Sequence, residues 1–299
     1  MKKSLHRKTV NNLPTGTKIV TYICLAWALI VSLVPLIWLV LSSLKKDPMA
    51  RPGFQLPESI CLDGYISTFK DLHVFRYFGN SLIVAGISVL ISVVMISMSA
   101  YVVARMEFKG KKLVNILLYS TMFIPATALT YPVYNLINNL HLYDTRAALI
   151  LIYSCSGIAV SFFVIKNYYD NIPRELEEAA RIDGCGYVQT WVKVIFPIAR
   201  PGIMTAAVLA FLNNWNEYYW ASLVLITREK LTVPALLSTF TTAFNTNYNG
   251  LFSAMVVIIL PPVILYCVFS KFFIEALSGG AVKGRLQVVG MGHHPHQSL

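Results

Sequence analysis

Few residues in this chain of 299 have both the type and the spacing for chemistry. The five cysteines, Cys24, Cys61, Cys155, Cys185 and Cys267, are scattered and odd in number, with no C-x-x-C pair to clamp zinc or exchange thiols. They read as free thiols that pack as small hydrophobes. His6, His73 and His141 are isolated; His293, His294 and His296 crowd a tail that reads as a disordered terminus, adventitious metal binding being the alternative. No H-E-x-x-H, G-x-S-x-G or G-x-x-x-x-G-K-S/T pattern occurs, so the chain offers no zinc hydrolase site, nucleophile elbow or phosphate loop. No catalytic, cofactor-binding or metal site is expected.

Two polar stretches remain. "ELEEAARIDGCGYVQTWVKVIFPIARP" (Glu175–Pro201) crowds acids, bases and prolines together. "NNWNEYYW" (Asn213–Trp220) sets Asn213, Asn214, Asn216 and Glu217 beside aromatics inside an apolar run. What either stretch touches depends on where the chain around it lies.

The chain is 56% hydrophobic and 13% charged, with mean hydropathy +0.60, against roughly 25% charged residues in an ordinary soluble domain. That composition describes a membrane protein. The net charge of +11 sits beside the apolar runs rather than in one stripe with interleaved aromatics, which favours topology-setting charge over nucleic-acid binding. The opening MKKSLHRK imitates a signal peptide, but the apolar run behind it exceeds an h-region of about 7–15 residues and lacks an A-x-A exit. It reads as a retained first span.

Six segments reach the roughly 20 apolar residues that a helix needs to cross a bilayer: Ile19–Leu44, Phe78–Arg105, Leu113–Ile137, Thr145–Ile165, Gly202–Ile226 and Leu251–Ile274. The expected class is all-α integral membrane. With the N-terminus inside, 17 of the 25 Lys and Arg residues fall on the inner side and 8 on the outer, so both termini and Glu175–Pro201 are placed in the cytoplasm. The chain then divides into a cytoplasmic tail (1–18), a first transmembrane helix (19–44), an external loop (45–77) made irregular by Pro48, Pro52 and Pro57, a five-helix core (78–284) carrying a cytoplasmic loop (170–201), and a cytoplasmic tail (285–299). The loop after the fifth span has room for one short helix against the outer surface. Pro125 and Pro132 are expected to kink the third span, and Pro261 and Pro262 the sixth.

Within the cytoplasmic loop, Pro173 suits a first helical turn, Glu175, Glu177 and Glu178 complement the positive end of the dipole, and Arg181 the negative end. Gly184 stops that helix. Leu176, Ala179 and Ala180 share a face on which small side chains admit another backbone. Past the Gly184–Gly186 break, Val188, Trp191, Val192 and Ile195 fall at i, i+3, i+4 and i+7, an amphipathic helix ended by Pro197 and Pro201. A helix lying flat on lipid headgroups is the plain alternative. An anionic leaflet repels Glu175, Glu177, Glu178 and Asp183, which favours a protein partner.

Glu178-Ala179-Ala180, three residues, Gly184, nine residues and then Val194-Ile195-Phe196-Pro197 resembles the EAA motif of binding-protein-dependent ABC importers, which runs EAA, three residues, G, nine residues, I-x-L-P. Val194 and Phe196 depart from it and stay apolar. "IDG" at Ile182–Gly184, Asn80-Ser81, "NNWNEYYW" and "GGAVKG" at Gly279–Gly284 are similar to the carbohydrate-importing branch, the maltose-type or multiple-sugar permeases, over about Gly64–Gly284. The chain resembles the shorter, six-span partner of that permease pair.

The resemblance implies a type I ABC importer transmembrane fold whose EAA loop is a coupling helix seated in a cleft of an ATPase. Glu178, Ala179, Ala180, Asp183, Gly184 and Pro197 would then couple to the ATPase, with Gly279–Gly284 near it. It implies ATPase subunits that hold ATP and Mg, a second homologous permease, an extracytoplasmic solute-binding protein, a sugar substrate and a bacterial inner membrane, with no cofactor in this chain. Amide, carboxylate and aromatic groups bind sugar hydroxyls, so Asn213, Asn214, Asn216 and Glu217 become a candidate substrate path. Hydrogen-bond glue between the permease subunits explains the same residues equally well. In the maltose system the longer permease makes the main substrate contacts, which leaves this subunit the option of shaping the path alone. The rival mechanism, an ion-gradient-driven secondary transporter, wants inverted repeats and buried carboxylates; no repeat is visible and Glu217 is the one strong candidate.

Overall fold

The computed structural model of the chain describes residues 14–50, 52–71, 73–240 and 246–290, by backbone alone at 71, 269 and 271–290. The first thirteen residues and His293, His294 and His296 lie outside the described residues. Two compact units are built, one from the chain up to Leu72 with Phe240–Val257, the other from His73–Thr239 with the chain beyond Ile258.

In the first unit, α1 (Thr15–Ser43) is an apolar helix with Pro35 inside it, and only Ser42 and Ser43 at its end are buried. That end is tied down. Ser43 Oγ meets the Tyr65 hydroxyl at 2.6 Å, while Asn249 Nδ2 donates to the carbonyls of Lys45 at 2.7 Å and Ser43 at 3.3 Å, satisfying groups that a helix end leaves open. The loop expected to be irregular contains α2 (Asp63–Ile66), which runs into a π turn at Ser67–Asp71. Gly64 permits this, because a Cβ there would collide with Asn249 and Ser253.

The second unit is organised on α3 (Val74–Arg105), which starts four residues before the expected Phe78. Its buried face carries Ser81, Ala85, Ser88, Ser92, Ile96, Ala100 and Ala104, three or four residues apart, and these mostly small side chains let neighbouring helices approach. The expected third span is broken rather than kinked: α4 (Lys111–Thr121) and the segment Ala126–Asn139, which contains α5 (Thr130–Asn139), stand at 100°. Pro125 lacks an N–H and pushes the residue before it out of the helical region, which explains a break in place of a bend. The fourth span also divides, into α6 (Arg146–Ser154) and α7 (Ile158–Asp170), bent by 48° where Gly157 takes φ +64.

After α7 come α8 (Glu175–Ile182), α9 (Tyr187–Thr190), a π turn at Trp191–Ile195 and α10 (Phe196–Ile198). The chain turns by 81° into α11 (Arg200–Asn216), which stops at Glu217 before α12 (Tyr219–Val224), so the expected fifth span is broken as well. Between α12 and the last helix, α13 (Val233–Leu236) is buried along its whole length. Finally α14 (Tyr248–Gly290) runs through Pro261 and Pro262, and its helical backbone passes the Gly284 boundary at which a tail was expected to begin. Among the described residues, Thr15–Ser43, Val74–Arg105 and Tyr248–Val268 are long and apolar enough to cross a membrane alone, and the number rises to six if each of three bent pairs is one span.

Tyr101 and Ala100 of α3, Phe162, Ile165 and Tyr169 of α7, and Ile195, Ala199 and Ile203 around the turn from α10 into α11 form one buried cluster. Gly202 makes the close crossing possible, since a Cβ there would collide with the Tyr168 ring. At the other end, Asn80 Nδ2 donates to the carbonyls of Glu229 and Leu231 at 2.8 and 2.9 Å and its Oδ1 accepts from Arg146 at 2.9 Å. Ser81 Oγ accepts the Val233 N–H at 2.8 Å. Asp144 accepts from the amides of Ile226 and Thr227 at 2.9 Å and from Lys230 at 2.8 Å. Burial pushes its carboxyl pKa up, but the hydrogen bonds from Lys230 and Thr227 outweigh that and hold it well below the usual carboxylate range.

Candidate functional site

The acidic helix α8 opens with Glu175, Glu177 and Glu178 in its first turn and Arg181 in its last, as the dipole favours. Pro173 lies ahead of it, Arg174 occupying the N-cap instead of the expected proline start. The helix ends in a Schellman motif: Cys185 N–H donates to Ala180 O at 2.9 Å and Gly184 N–H to Arg181 O at 3.0 Å, with Gly184 at φ +81. Glycine takes that conformation at the least cost. Glu178, Ala179, Ile182, Asp183 and Gly184 are exposed, Ile182 to 86%, whereas Ala180 is buried.

Glu177, which its sequence context does not distinguish from its acidic neighbours, turns inward. Its Oε1 lies 2.8 Å from Arg105 Nε with the two side chains 8% and 5% exposed. Arg105 also donates to the Ile172 carbonyl at 2.6 Å. A buried pair of this kind contributes little net stability, but removing one partner strands the other charge. The pair therefore fixes α8 to the last turn of α3. The signal that could have found it is a lone Arg closing an apolar span opposite a loop with more acids than a helix start needs.

The amphipathic helix expected across Val188–Ile195 is split by the π turn, whose extra residue divides the apolar face. Ile195 is fully buried and Trp191 packs on the core, its Nε1 donating to the Tyr169 hydroxyl at 3.2 Å. Val188 and Val192 stay exposed, at 63% and 50%. Tyr169 continues inward to Ser97 at 2.5 Å, a second tie from this segment to α3. Pro197 is exposed just before the 81° turn into α11.

The four polar residues around the end of α11 do not share one fate. Asn213 and Asn216 are exposed, Asn214 is buried, and Glu217 is half-buried. Glu217 accepts from the Tyr153 hydroxyl at 2.6 Å and from the backbone amides of Trp220 and Ala221 at 2.9 and 3.1 Å. It thus caps α12 and ties it to α6, so its carboxylate is already occupied inside the chain. The amide nitrogen of Asn214 and the indole nitrogen of Trp215 are buried without a hydrogen-bond partner among the described residues. Among those residues no cluster of His, Cys, Asp and Glu could hold a metal.

The family of binding-protein-dependent transport system inner membrane components matches residues 92–279, which include both polar stretches. The arabinooligosaccharides transport system permease protein AraQ of Halalkalibacterium halodurans is 34% identical over 264 residues, 87% of this chain and 94% of the relative. The trehalose transport system permease protein SugB of Mycobacterium tuberculosis is 32% identical over 274 residues, 90% of this chain and 100% of the relative. Among solved structures, a bacterial ABC transporter involved in the import of the acidic polysaccharide alginate superposes with TM-score 0.75 at 25% identity, covering 85% of this chain and 95% of that one. The MetNI methionine ABC transporter, at TM-score 0.52, 16% identity and coverage of 68% and 95%, is a likeness of fold alone. The all-α membrane class and the type I ABC importer fold are thus borne out, and these relatives give no support to an ion-gradient-driven transporter. The chain is a multi-pass, non-catalytic inner membrane component, ATP being hydrolysed by a separate chain. With a family match over more than half its length and such relatives over most of it, the chain belongs to the family of binding-protein-dependent transport system inner membrane components, the permease subunits of ABC importers.

Proposed function

We propose that this chain is the six-span member of a permease pair in an ATP-driven sugar importer, with both termini and α8 on the cytoplasmic side. The relatives' names speak of arabinooligosaccharides and trehalose, which supports a carbohydrate as the cargo. Its partners are ATPase subunits that carry ATP and Mg, a second homologous permease and an extracytoplasmic solute-binding protein, the whole embedded in lipid. Glu178, Ala179, Asp183 and Gly184, with Pro197, form the coupling surface, backed by the buried Ala180; of Asn213, Asn214, Asn216 and Glu217, the exposed Asn213 and Asn216 mark the substrate path.

One observation carries the coupling assignment. The segment offers an exposed face, Glu178, Ala179, Ile182 and Asp183, on a helix whose opposite side is pinned to α3 by the buried Arg105–Glu177 pair. A partner that pushes on the exposed face must move α3, because the pair and the Trp191–Tyr169–Ser97 chain link both to the core. ATPase closure is thereby converted into helix movement and alternating access. The test is reconstitution of this chain with its ATPase, second permease and binding protein in proteoliposomes, with trehalose and arabinotriose as probes. Uptake should require ATP on the ATPase side and binding protein on the other; uptake by the chain alone under an ion gradient would overturn the proposal.

A further inference from the structure

Three of the expected spans are broken, and their breaks are joined to each other. The Thr130 hydroxyl, at the start of α5, meets the Tyr219 hydroxyl, at the start of α12, at 3.0 Å. Tyr153, one residue from the end of α6, donates to Glu217 in the α11–α12 junction at 2.6 Å. Glu217 therefore joins the fourth and fifth interruptions, and the Thr130–Tyr219 bond sets the start of α5, which follows the third interruption, beside them. Irregular backbone at membrane depth is tolerated only where protein buries it or where it lines a water-filled cavity, because lipid satisfies no N–H or C=O group.

These breaks are not buried within the chain. Tyr131 is 79% exposed, Tyr218 and Tyr219 are each 46% exposed, and Asn213 and Asn216 are exposed beside them in sequence. A lipid-facing surface would favour aliphatic side chains here, as α3 shows with Leu82, Leu90 and Met95. Phenol rings with hydroxyls and free amides suit a hydroxylated, partly apolar solute instead, the rings offering flat faces to C–H groups and the polar ends pairing with hydroxyls.

Resting on the proposal that this chain belongs to a sugar importer, we infer that the junction of the three breaks is a water-lined sugar-contact surface of this subunit, with Tyr131, Tyr218 and Tyr219 as its aromatic contacts and Asn213 and Asn216 as its amide contacts. Asn214 and Glu217 are not part of that surface. Asn214 is buried, and Glu217 is spent on holding the junction together. Tyr131 is the least obvious member, lying more than eighty positions from Asn213–Trp220, and Thr130 beside it makes the bond that brings it there.

The test uses the complete importer in proteoliposomes, with the five native cysteines replaced by serine and Tyr131→Cys, Tyr218→Cys or Leu82→Cys introduced singly. A charged methanethiosulfonate reagent should label Tyr131→Cys and Tyr218→Cys at least about ten-fold faster than Leu82→Cys, which faces an apolar surface. Whichever of trehalose and arabinotriose the parent importer takes up should slow that labelling, and Tyr131→Ala should raise the KM for its uptake about five-fold, the size of one aromatic contact. Labelling as slow as at Leu82→Cys would mean that lipid or the second permease covers the junction, which overturns the inference. Fast labelling that the transported sugar leaves unchanged overturns sugar contact while keeping the water-lined surface. Uptake of neither probe by the parent would count against the sugar-importer proposal itself, a failure visible before any variant is made.

Discussion

The segment around α8, proposed to face the cytoplasm, and the loop around Asp144, proposed to lie outside, both hold a short irregular element against the same helix bundle, but they do it by different physics. The inner one relies on a single buried ion pair, Arg105–Glu177, and one aromatic chain through Trp191 and Tyr169, and leaves a face of α8 exposed. The outer one distributes its hold over many hydrogen bonds, from Asp144 to Ile226, Thr227 and Lys230 and from Asn80 to Glu229 and Leu231, and buries α13 completely. A concentrated link with a free face suits transmission of force from a partner. A distributed one with no free face suits a seal.

If that contrast is right, inner changes should uncouple transport and outer ones should only soften the structure. The largest effect on uptake is expected at Gly184→Asp, which puts a charged side chain at φ +81 and spoils the docking turn. Uptake should fall at least about ten-fold with normal amounts in the membrane, as read by labelled-sugar uptake beside a membrane blot. Retained uptake would remove α8 from the coupling mechanism. Next comes Arg105→Ala, which strands Glu177 and should cost about 3–5 kcal/mol in unfolding of the purified complex. The double variant Arg105→Met/Glu177→Leu should regain most of that loss, and a double variant as unstable as the single one would deny that the pair acts as a unit.

Smaller still is Glu217→Ala, which removes a helix cap and the Tyr153 bond and should destabilise the complex by about 1–3 kcal/mol. Unaltered stability with altered sugar preference would return Glu217 to the substrate surface. The smallest effect belongs to Asp144→Asn, which keeps a side chain that tolerates the positive φ of this position. The folded-state pKa of Asp144 lies below the unfolded value of about 4, so its stabilisation is present above that pH and disappears as pH falls through the folded value. The variant should be about 1 kcal/mol less stable at neutral pH, with the difference from the parent shrinking below about pH 4 in thermal unfolding. A difference that does not shrink would show that the charge is not the cause.

Much of the inner region was legible from residue types because its rules are local. Gly184 as a helix stop and the charges along α8 both follow from spacing, and each appears in the structure. The breaks were not legible, since hydropathy runs unbroken through Leu113–Ile137 and Thr145–Ile165 and a proline or glycine inside an apolar run announces a kink as readily as a division. The burial of Glu177 was not legible for a related reason: three acids in one turn look alike, and only the tertiary position of Arg105 selects the one that is buried. The π turn at Trp191–Ile195 shifted half of the predicted apolar face outward for want of any residue that marks such turns.

The most direct test of the central claim is a cross-link from the exposed face of α8. With Ala179→Cys as the single cysteine of the assembled importer, a short thiol-to-amine cross-linker should join this subunit to the ATPase, and the yield should change when ATP and the loaded binding protein are added together. An adduct with the binding protein, or none with the ATPase in either state, would contradict both the cytoplasmic placement of the segment and its role in coupling.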